Sequence, residues 1–185
     1  MNIPEKVNQL FALYEHHGGN EYIGEPVTIL EHSVQSAQLA ESEGYDEEVI
    51  LAALFHDIGH LMPMQSHEDM NGMGHLSHEK VGAAYIQEMG FSEKVTFLIN
   101  AHVAAKRYLC FAQPAYYDKL SEASRQTLVF QGGVMTAQEA ADFERHPLFQ
   151  LSLRMRYWDE AAKETEQPIP DMNHYKQMAE RSLSL

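Results

Sequence analysis

The chain has 185 residues, and its 44% hydrophobic and 22% charged composition is typical of one folded globular domain rather than a disordered chain. A formal net charge of −14 argues against nucleic acid as a partner, because phosphate binding relies on lysine and arginine. A single cysteine, Cys110, excludes an internal disulfide and a thiolate zinc site. With no visible signal peptide and no long apolar run, we expect a cytoplasmic protein with one domain over residues 1–185 and no membrane contact.

Apolar residues recur at helical spacing along most of the chain, and capping residues mark where helices begin. Thr28 and Glu31 have the spacing of a capping box, and Asp46, Ser77 and Ser92 are suited to N-cap positions. The predicted helices cover 7–14 (ending before Gly18), 26–44, 49–56, 77–90, 92–102, 121–130, 136–143, 148–162 and 173–182.

The segment 57–74 has a different composition, with Gly59, Pro63 and Gly74 interrupting it. These residues predict a long loop, which in a compact domain is often functional. No run alternates with a period of two residues, as a half-buried strand would. The predicted fold class is therefore all-α.

Several of the eleven histidines lie on apolar helix faces, where a polar side chain needs a partner. His32 shares a face with Ile29, and His102 extends the face of Leu98 and Ile99. Any one of them alone is better explained as a core histidine with a hydrogen bond. Taken together, and with a histidine–aspartate pair at 56–57, they favour a metal site, whose nitrogen and oxygen donors suit iron or manganese and also accept zinc.

The order His32, His56-Asp57 and Asp159 resembles the H…HD…D signature of the HD-domain superfamily. His78 and His102 resemble the additional histidines of its two-metal members. More closely, the segments 22–25, 55–60, 78–83, 102–109 and 156–160 are similar to those of PhnZ-type phosphonate oxygenases, which are mixed-valent di-iron HD enzymes that break carbon–phosphorus bonds. This closer similarity extends over nearly the whole chain.

The resemblance implies an HD-domain helical bundle with two iron ions in the mixed-valent Fe2+/Fe3+ state and O2 as co-substrate. The implied metal ligands are His32, His56, Asp57 and Asp159 for one iron, and His78, His102 and the shared Asp57 for the other.

The resemblance also implies a set of residues around the substrate. Tyr22 would occupy the second metal region at rest and move aside, and Glu25 would meet a cationic nitrogen. The implied phosphonate-binding residues are His60, Lys106, Ser124 and Arg156, with Thr127 and Gln131 as further candidates. Without the family, Tyr22 and Glu25 would be read as surface-loop residues and Lys106 as one of a solvated basic pair. His67 and His75 are expected to be exposed.

The implied reaction is oxidative cleavage of a 1-hydroxy-2-(amino or trimethylammonio)ethylphosphonate to phosphate and glycine or glycine betaine. The expected partner is this small molecule, with no obligate protein partner. The methionines of the loop either accommodate methyl groups or fill core gaps; they are Met62, Met64, Met70 and Met73. Three alternatives stay open: a metal-dependent phosphohydrolase, a polyol oxygenase of the myo-inositol oxygenase kind, and a non-catalytic HD binding module.

Overall fold

The structure is a computed structural model that describes residues 1–22, 24–63, 70, 72 and 75–184. In these residues it contains α-helices, one short 3-10 helix and no strand, which confirms the all-α prediction. The helices are α1 (Ile3–His17), α2 (Ile29–Ser42), α3 (Glu47–Phe55), the 3-10 helix (Ile58–Leu61), α4 (His78–Met89), α5 (Glu93–Ala112), α6 (Pro114–Lys119), α7 (Glu122–Phe130), α8 (Ala137–Glu144), α9 (Phe149–Ala161) and α10 (Asn173–Ser182). None of the helices so described is long and apolar enough to cross a membrane.

The helix starts follow the capping residues of the sequence. The Thr28 hydroxyl accepts a hydrogen bond from the Glu31 amide at 3.2 Å, and the Glu31 carboxylate accepts one from the Thr28 amide at 2.7 Å, which completes the predicted capping box. Asp46 caps α3 by accepting from the Val49 amide at 3.1 Å. These bonds satisfy amide groups that would otherwise lack partners in the first turn of each helix.

Helix α1 begins four residues before the predicted segment 7–14, and α5 ends ten residues after the predicted segment 92–102. Two further helices and one cap also differ from the prediction. Helix α6 was missed because six residues are too few for a periodic pattern, although Pro114 at its start is a typical first-turn residue. The 3-10 helix lies inside the predicted loop 57–74. Ser77 precedes α4 but makes no side-chain cap, since its backbone is not in the extended conformation that aims a capping hydroxyl at the helix.

Helix α3 lies at the centre of the core. All its residues from Val49 to Phe55 are buried, and α2, α5, α9 and α10 pack around it. Phe55 meets the ring of Phe11 edge-on with centroids 5.9 Å apart, and the Tyr14 hydroxyl donates to the Leu54 carbonyl at 2.7 Å. The carboxyl end of α3 is therefore fixed in the middle of the bundle, where residues 56 and 57 follow.

Candidate metal centre and cavity

Six residues far apart in the sequence meet where five helical elements converge. They come from α2, from the residues that follow α3, from the first residue of α4, and from the middle of α5 and the last turns of α9. None of the six is more than 4% exposed. The six residues are His32, His56, Asp57, His78, His102 and Asp159.

Asp57 lies between two pairs of histidines. Its Oδ2 atom is 3.5 Å from Nε2 of His32 and 3.4 Å from Nε2 of His56. Its Oδ1 atom is 3.3 Å from Nε2 of His78 and 3.4 Å from Nε2 of His102. One carboxylate thus presents one oxygen to each pair, which is the arrangement needed to bridge two cations.

Asp159 adds a second carboxylate to one side only. Its Oδ1 atom lies 3.4 Å from Nε2 of His32, and its Oδ2 atom lies 3.9 Å from Nε2 of His56. Among the described residues, the inward nitrogens of the His32–His56 pair therefore face two carboxylates, whereas those of the His78–His102 pair face Asp57 alone. The two halves of the site differ in charge and in the number of donors.

The backbone fixes which nitrogen of each ring points inward. The four Nδ1 atoms lie against backbone carbonyls: His32 at 2.9 Å from Ala162, His56 at 2.7 Å from Ala53, His78 at 3.1 Å from His75 and His102 at 2.7 Å from Ile99. A carbonyl only accepts, so each Nδ1 carries a proton, and in a neutral ring each Nε2 offers a lone pair. Such outer hydrogen bonds are typical of metal-ligating histidines.

These donors fit metal ions better than they fit one another. Nε2 of His32 is 3.1 Å from Nε2 of His56, and Nε2 of His78 is 3.0 Å from that of His102, so lone pairs would face lone pairs if all four rings were neutral, unless a proton or a cation lies between them. Oδ2 of Asp57 is buried and has no hydrogen-bond partner within the described residues. A cation held by each pair would satisfy these atoms, and a nitrogen–oxygen donor set suits iron, manganese or zinc.

Both aspartates are held in the ionised form. Burial alone raises the pKa of a carboxyl, but His56 and the other histidines keep the pKa of Asp57 well below its usual range, and Arg156 and His32 do the same for Asp159. Burial likewise lowers the pKa of His56, yet the two carboxylates outweigh it and raise that pKa to about 9. Metal binding at this pair should therefore release a proton.

His60 lies beside the second pair but has a different role. It stacks on His78 with ring centroids 4.0 Å apart, and Asp57, His60 and His78 each offer a ligand atom within 4.8 Å of the others. However, Nδ1 of His60 accepts a hydrogen bond from the His75 amide at 3.3 Å, so the proton of a neutral ring is on Nε2. His60 is consequently a hydrogen-bond donor and not a metal ligand in this arrangement.

The prediction that His75 is exposed is wrong, because it is 4% exposed. The His75 amide donates to Nδ1 of His60, and the His75 carbonyl lies against Nδ1 of His78. The backbone at His75 therefore contacts both of these rings. Such backbone contacts leave no trace in the sequence. His67, Met64 and Met73 lie outside the described residues, whereas Met70 is buried and lines the cavity discussed next.

A cavity of about 410 Å³ opens over the metal centre. Asp57, His78, His102 and Asp159 line it on the side of the centre. The predicted substrate residues also line this cavity, although the sequence separates them by more than a hundred positions: Tyr22, Glu25, His60, Lys106, Ser124, Thr127, Gln131 and Arg156.

Lys106 is a cation held inside this cavity. It lies one turn beyond His102 on α5, is 3% exposed, and donates to the Thr127 hydroxyl at 3.0 Å. Among the described residues, no carboxylate lies within 4.0 Å of its ammonium group. Burial, and then the charge of Arg156, lower the pKa of Lys106 to about 7. An anion in the cavity would relieve this cost by pairing with the ammonium.

Arg156 differs from Lys106 because its charge is already balanced. Its guanidinium pairs with Asp159 and with Glu160, and its Nε donates to the Tyr116 hydroxyl at 2.8 Å. It also lies 3.4 Å from the Ser124 hydroxyl. Arg156 therefore orients the Asp159 carboxylate as well as lining the cavity. Glu160 was not predicted as a site residue, although its position four residues after Arg156 on one helix was a usable signal.

A tight turn brings Tyr22 and Glu25 to the cavity. The Glu25 amide donates to the Tyr22 carbonyl at 2.9 Å. Gly24 lies between them with a φ of +74°, a conformation that favours glycine. A Cβ at this position would lie 2.8 Å from the Cβ of Ala123 in α7. The Tyr22 ring stacks on His32 at a centroid distance of 4.1 Å. Burial and the charges of Asp57 and Asp159 raise the pKa of Tyr22 well above its usual range, so its hydroxyl keeps its proton.

Gly59→Ala should destabilise the protein and weaken the second half of the centre. A Cβ at this position would lie 2.0 Å from the His78 carbonyl oxygen, which forces the start of α4 away from the 3-10 helix. We expect a loss of at least about 2 kcal/mol in the free energy of unfolding, measured by urea denaturation. Gly19→Ala is the control, since its Cβ meets nothing within 4 Å. An unchanged midpoint for Gly59→Ala would contradict the close approach.

Comparison with known proteins agrees with this geometry. The family model described as "HD domain" matches residues 29–129. The chain is 41% identical over 170 residues to the [1-hydroxy-2-(trimethylamino)ethyl]phosphonate dioxygenase (glycine-betaine-forming) of Leisingera caerulea, covering 92% of this chain and 86% of that protein. It is 40% identical over 181 residues to the hydroxymethylphosphonate dioxygenase of Gimesia maris, covering 97% and 89%. An uncharacterised protein of Acanthamoeba polyphaga mimivirus is 41% identical over 183 residues, covering 98% and 84%.

Proposed function

The chain belongs to the HD-domain family, and from this we propose that it is an iron- and O2-dependent oxygenase that cleaves the carbon–phosphorus bond of a 1-hydroxylated phosphonate. The proposed substrate is of the 2-aminoethylphosphonate type, in its amino or trimethylammonio form. Its products are phosphate and glycine or glycine betaine.

The observation that carries this proposal is a carboxylate that faces two histidine pairs, beneath a cavity whose wall holds a lysine ammonium with no carboxylate within 4.0 Å among the described residues. Asp57 faces both histidine pairs, and Lys106 lies on the wall of the same cavity. Neutral imidazoles and two carboxylates leave a pair of bound cations with net positive charge. A dianionic phosphonate is the kind of ligand that both this charge and Lys106 attract, despite the net charge of −14 of the whole chain.

Six side chains would hold the metal: His32, His56, Asp57 and Asp159 one ion, and His78, His102 and the shared Asp57 the other. When bound, two iron ions in the mixed-valent state supply the redox chemistry with O2 that no side chain can provide. This chain's residues bind and orient the substrate. Tyr22 covers the His32 ring at the cavity wall, where it excludes water until substrate displaces it.

Four groups are placed to hold the phosphonate oxygens by charge and hydrogen bonds. Lys106 supplies an ammonium, His60 its Nε2–H, and Ser124 and Thr127 supply hydroxyls, and all four line the cavity. Gln131 also lines it, and its amide oxygen is buried without a hydrogen-bond partner in the described part of the chain. The Lys106 ammonium and the His60 Nε2–H are held in advance and favour the transition state in which the phosphoryl group leaves. The Ser124 and Thr127 hydroxyls instead donate to Glu160 and to the Ser124 carbonyl, and they would have to turn toward the substrate.

The reaction balances with O2 as the oxidant. The C1–H and C1–P bonds of the substrate break, C1 gains one oxygen atom to become a carboxylate, and phosphorus gains the other to become phosphate. One proton is released. No second reductant is required, so each O2 consumed corresponds to one phosphate formed.

The test is the stoichiometry of purified protein loaded with iron under anaerobic conditions. With (1-hydroxy-2-aminoethyl)phosphonate or its trimethylammonio analogue we expect O2 uptake and phosphate release in a ratio of about 1:1, because both oxygen atoms enter the products. A hydrolase would release phosphate from phosphate esters without consuming O2, and a binding module would do neither. Either of these results would overturn the proposal.

A further inference from the structure

The far end of the cavity contains a carboxylate that is already paired. Oε1 of Glu25 accepts a hydrogen bond from the Ser121 hydroxyl at 2.5 Å and from the Lys163 ammonium at 2.9 Å. The side chains of Glu25 and Lys163 are 9% and 15% exposed, so solvent and salt screen this pair less than a surface pair. Glu25 lines the cavity, whereas Lys163 contacts Glu25 but is not one of the lining residues.

The backbone on both sides of Lys163 is fixed. The carbonyl of Ala162 lies 2.9 Å from Nδ1 of His32, which ties the preceding residue to the metal centre. The following residue, Glu164, accepts from the Gln35 amide at 2.8 Å and donates to its oxygen at 3.0 Å. Lys163 thus donates to Glu25 from a backbone segment that hydrogen bonds hold on both sides.

Lys163 also connects Glu25 to the charges around the metal centre. Its ammonium lies 3.6 Å from Oε2 of Glu160, whose other oxygen pairs with Arg156. Negative and positive groups therefore alternate from Glu25 to Asp159. Within this row Glu25 cannot act as an isolated negative charge, because its nearest charged neighbour compensates it.

On the basis of the proposed function, we propose that Lys163 determines substrate specificity by positioning and partly neutralising Glu25, and so lowers the preference of the cavity for substrates with a cation on C2. A substrate ammonium that approaches Glu25 meets a carboxylate already shared with Lys163, and it also meets the repulsion of that second ammonium. In a poorly screened site both effects are larger than in water. A 1-hydroxyphosphonate without a cation at this end is not subject to either.

The test compares two substrates in three variants. For each enzyme, kcat and KM are measured with (1-hydroxy-2-aminoethyl)phosphonate and with hydroxymethylphosphonate, and an inhibition constant replaces KM where a compound is not turned over. Lys163→Met should raise the amino-to-hydroxymethyl ratio of kcat/KM by about tenfold, mainly through a lower KM for the amino compound. Lys163→Arg keeps the charge and should restore the original ratio.

Lys94→Met is the matched control for the loss of one positive charge. Lys94 also lies between two carboxylates, at 2.6 Å from Asp46 and 3.3 Å from Glu48, but these are on the surface away from the cavity. The amino-to-hydroxymethyl ratio of kcat/KM should be the same in Lys94→Met as in the unmodified enzyme.

The outcomes separate this inference from the function on which it rests. If Lys163→Met lowers kcat/KM for both substrates alike, or lowers the ratio, Lys163 has only a structural role and the inference is wrong while the function stands. If the unmodified enzyme turns over no 1-hydroxyphosphonate at all, the proposed function fails and the inference fails with it.

Discussion

Asp57→Ala should leave the protein unable to hold either metal ion. In the part of the chain that the structure describes, the Asp57 carboxylate is the one carboxylate within 3.5 Å of all four inward-facing histidine nitrogens. Without it, two bound cations would repel each other with no described carboxylate between them. We expect metal affinity to fall at least about a hundredfold. Metal content after anaerobic iron loading and desalting, measured by inductively coupled plasma mass spectrometry, should drop from about two ions per chain to nearly none.

Asp46→Ala is the control, because it removes another carboxylate that interacts with α3. That residue caps the amino end of the helix, so its loss should cost about 1 kcal/mol of stability and leave the metal content unchanged. If Asp57→Ala kept its full metal content, the bridging assignment would be wrong.

Lys106→Met should keep both metal ions and lose most of the affinity for phosphonate. Truncating one partner of a buried charge pair costs about 2–5 kcal/mol, so binding should weaken at least about 30-fold. The free protein should not become less stable, because the buried ammonium is unfavourable for folding at neutral pH. Isothermal titration of the metal-loaded protein with a phosphonate, and thermal unfolding without it, measure the two effects.

The pH dependence of phosphonate affinity tests whether the charge of the Lys106 ammonium is responsible for binding. Burial lowers the pKa of Lys106 to about 7 before any metal is bound, and bound cations would lower it further, so the fraction that carries the charge falls as the pH rises toward and through 7. Phosphonate affinity should fall over the same range, and less steeply in Lys106→Arg, which stays charged.

Arg107→Met is the control for Lys106. The Arg107 side chain pairs with Glu139 and donates to the Gly133 carbonyl, and it does not line the cavity. Its loss should therefore leave phosphonate affinity unchanged. Equal loss in the two variants would show that Lys106 acts only through the overall charge.

The parts of the fold that local chemistry determines were predictable from the sequence. Capping boxes such as Thr28 with Glu31 use side chains three residues apart, so the start of α2 is visible in a short window. The same holds for the apolar stripes that place His32 and His102 toward the core. Helix α6 and the 3-10 helix were missed because elements of four to six residues contain fewer than two turns, too few for a pattern to repeat.

The convergence of the named residues could be anticipated from the resemblance, while their roles stay predictions and their connections could not be anticipated. The resemblance pointed to the six residues that converge and to the eight that line the cavity, yet no sequence pattern shows that Arg156 is already paired with Glu160. The pairing of Glu25 with Lys163 joins residues 138 positions apart. His75 is buried with both its backbone and its side chain engaged, since its Nδ1 accepts from the Ser77 amide at 3.3 Å, and its amide donates to a residue 15 positions earlier in the sequence.

An electron paramagnetic resonance spectrum of partly oxidised, iron-loaded protein tests the two-metal centre most directly, recorded with and without a 1-hydroxyphosphonate. If the proposed mixed-valent iron pair is held on the two sides of Asp57, the spectrum will show a signal from two magnetically coupled irons, Fe2+ and Fe3+, that changes when the phosphonate binds. Only isolated Fe3+ signals, unchanged by the ligand, would contradict it.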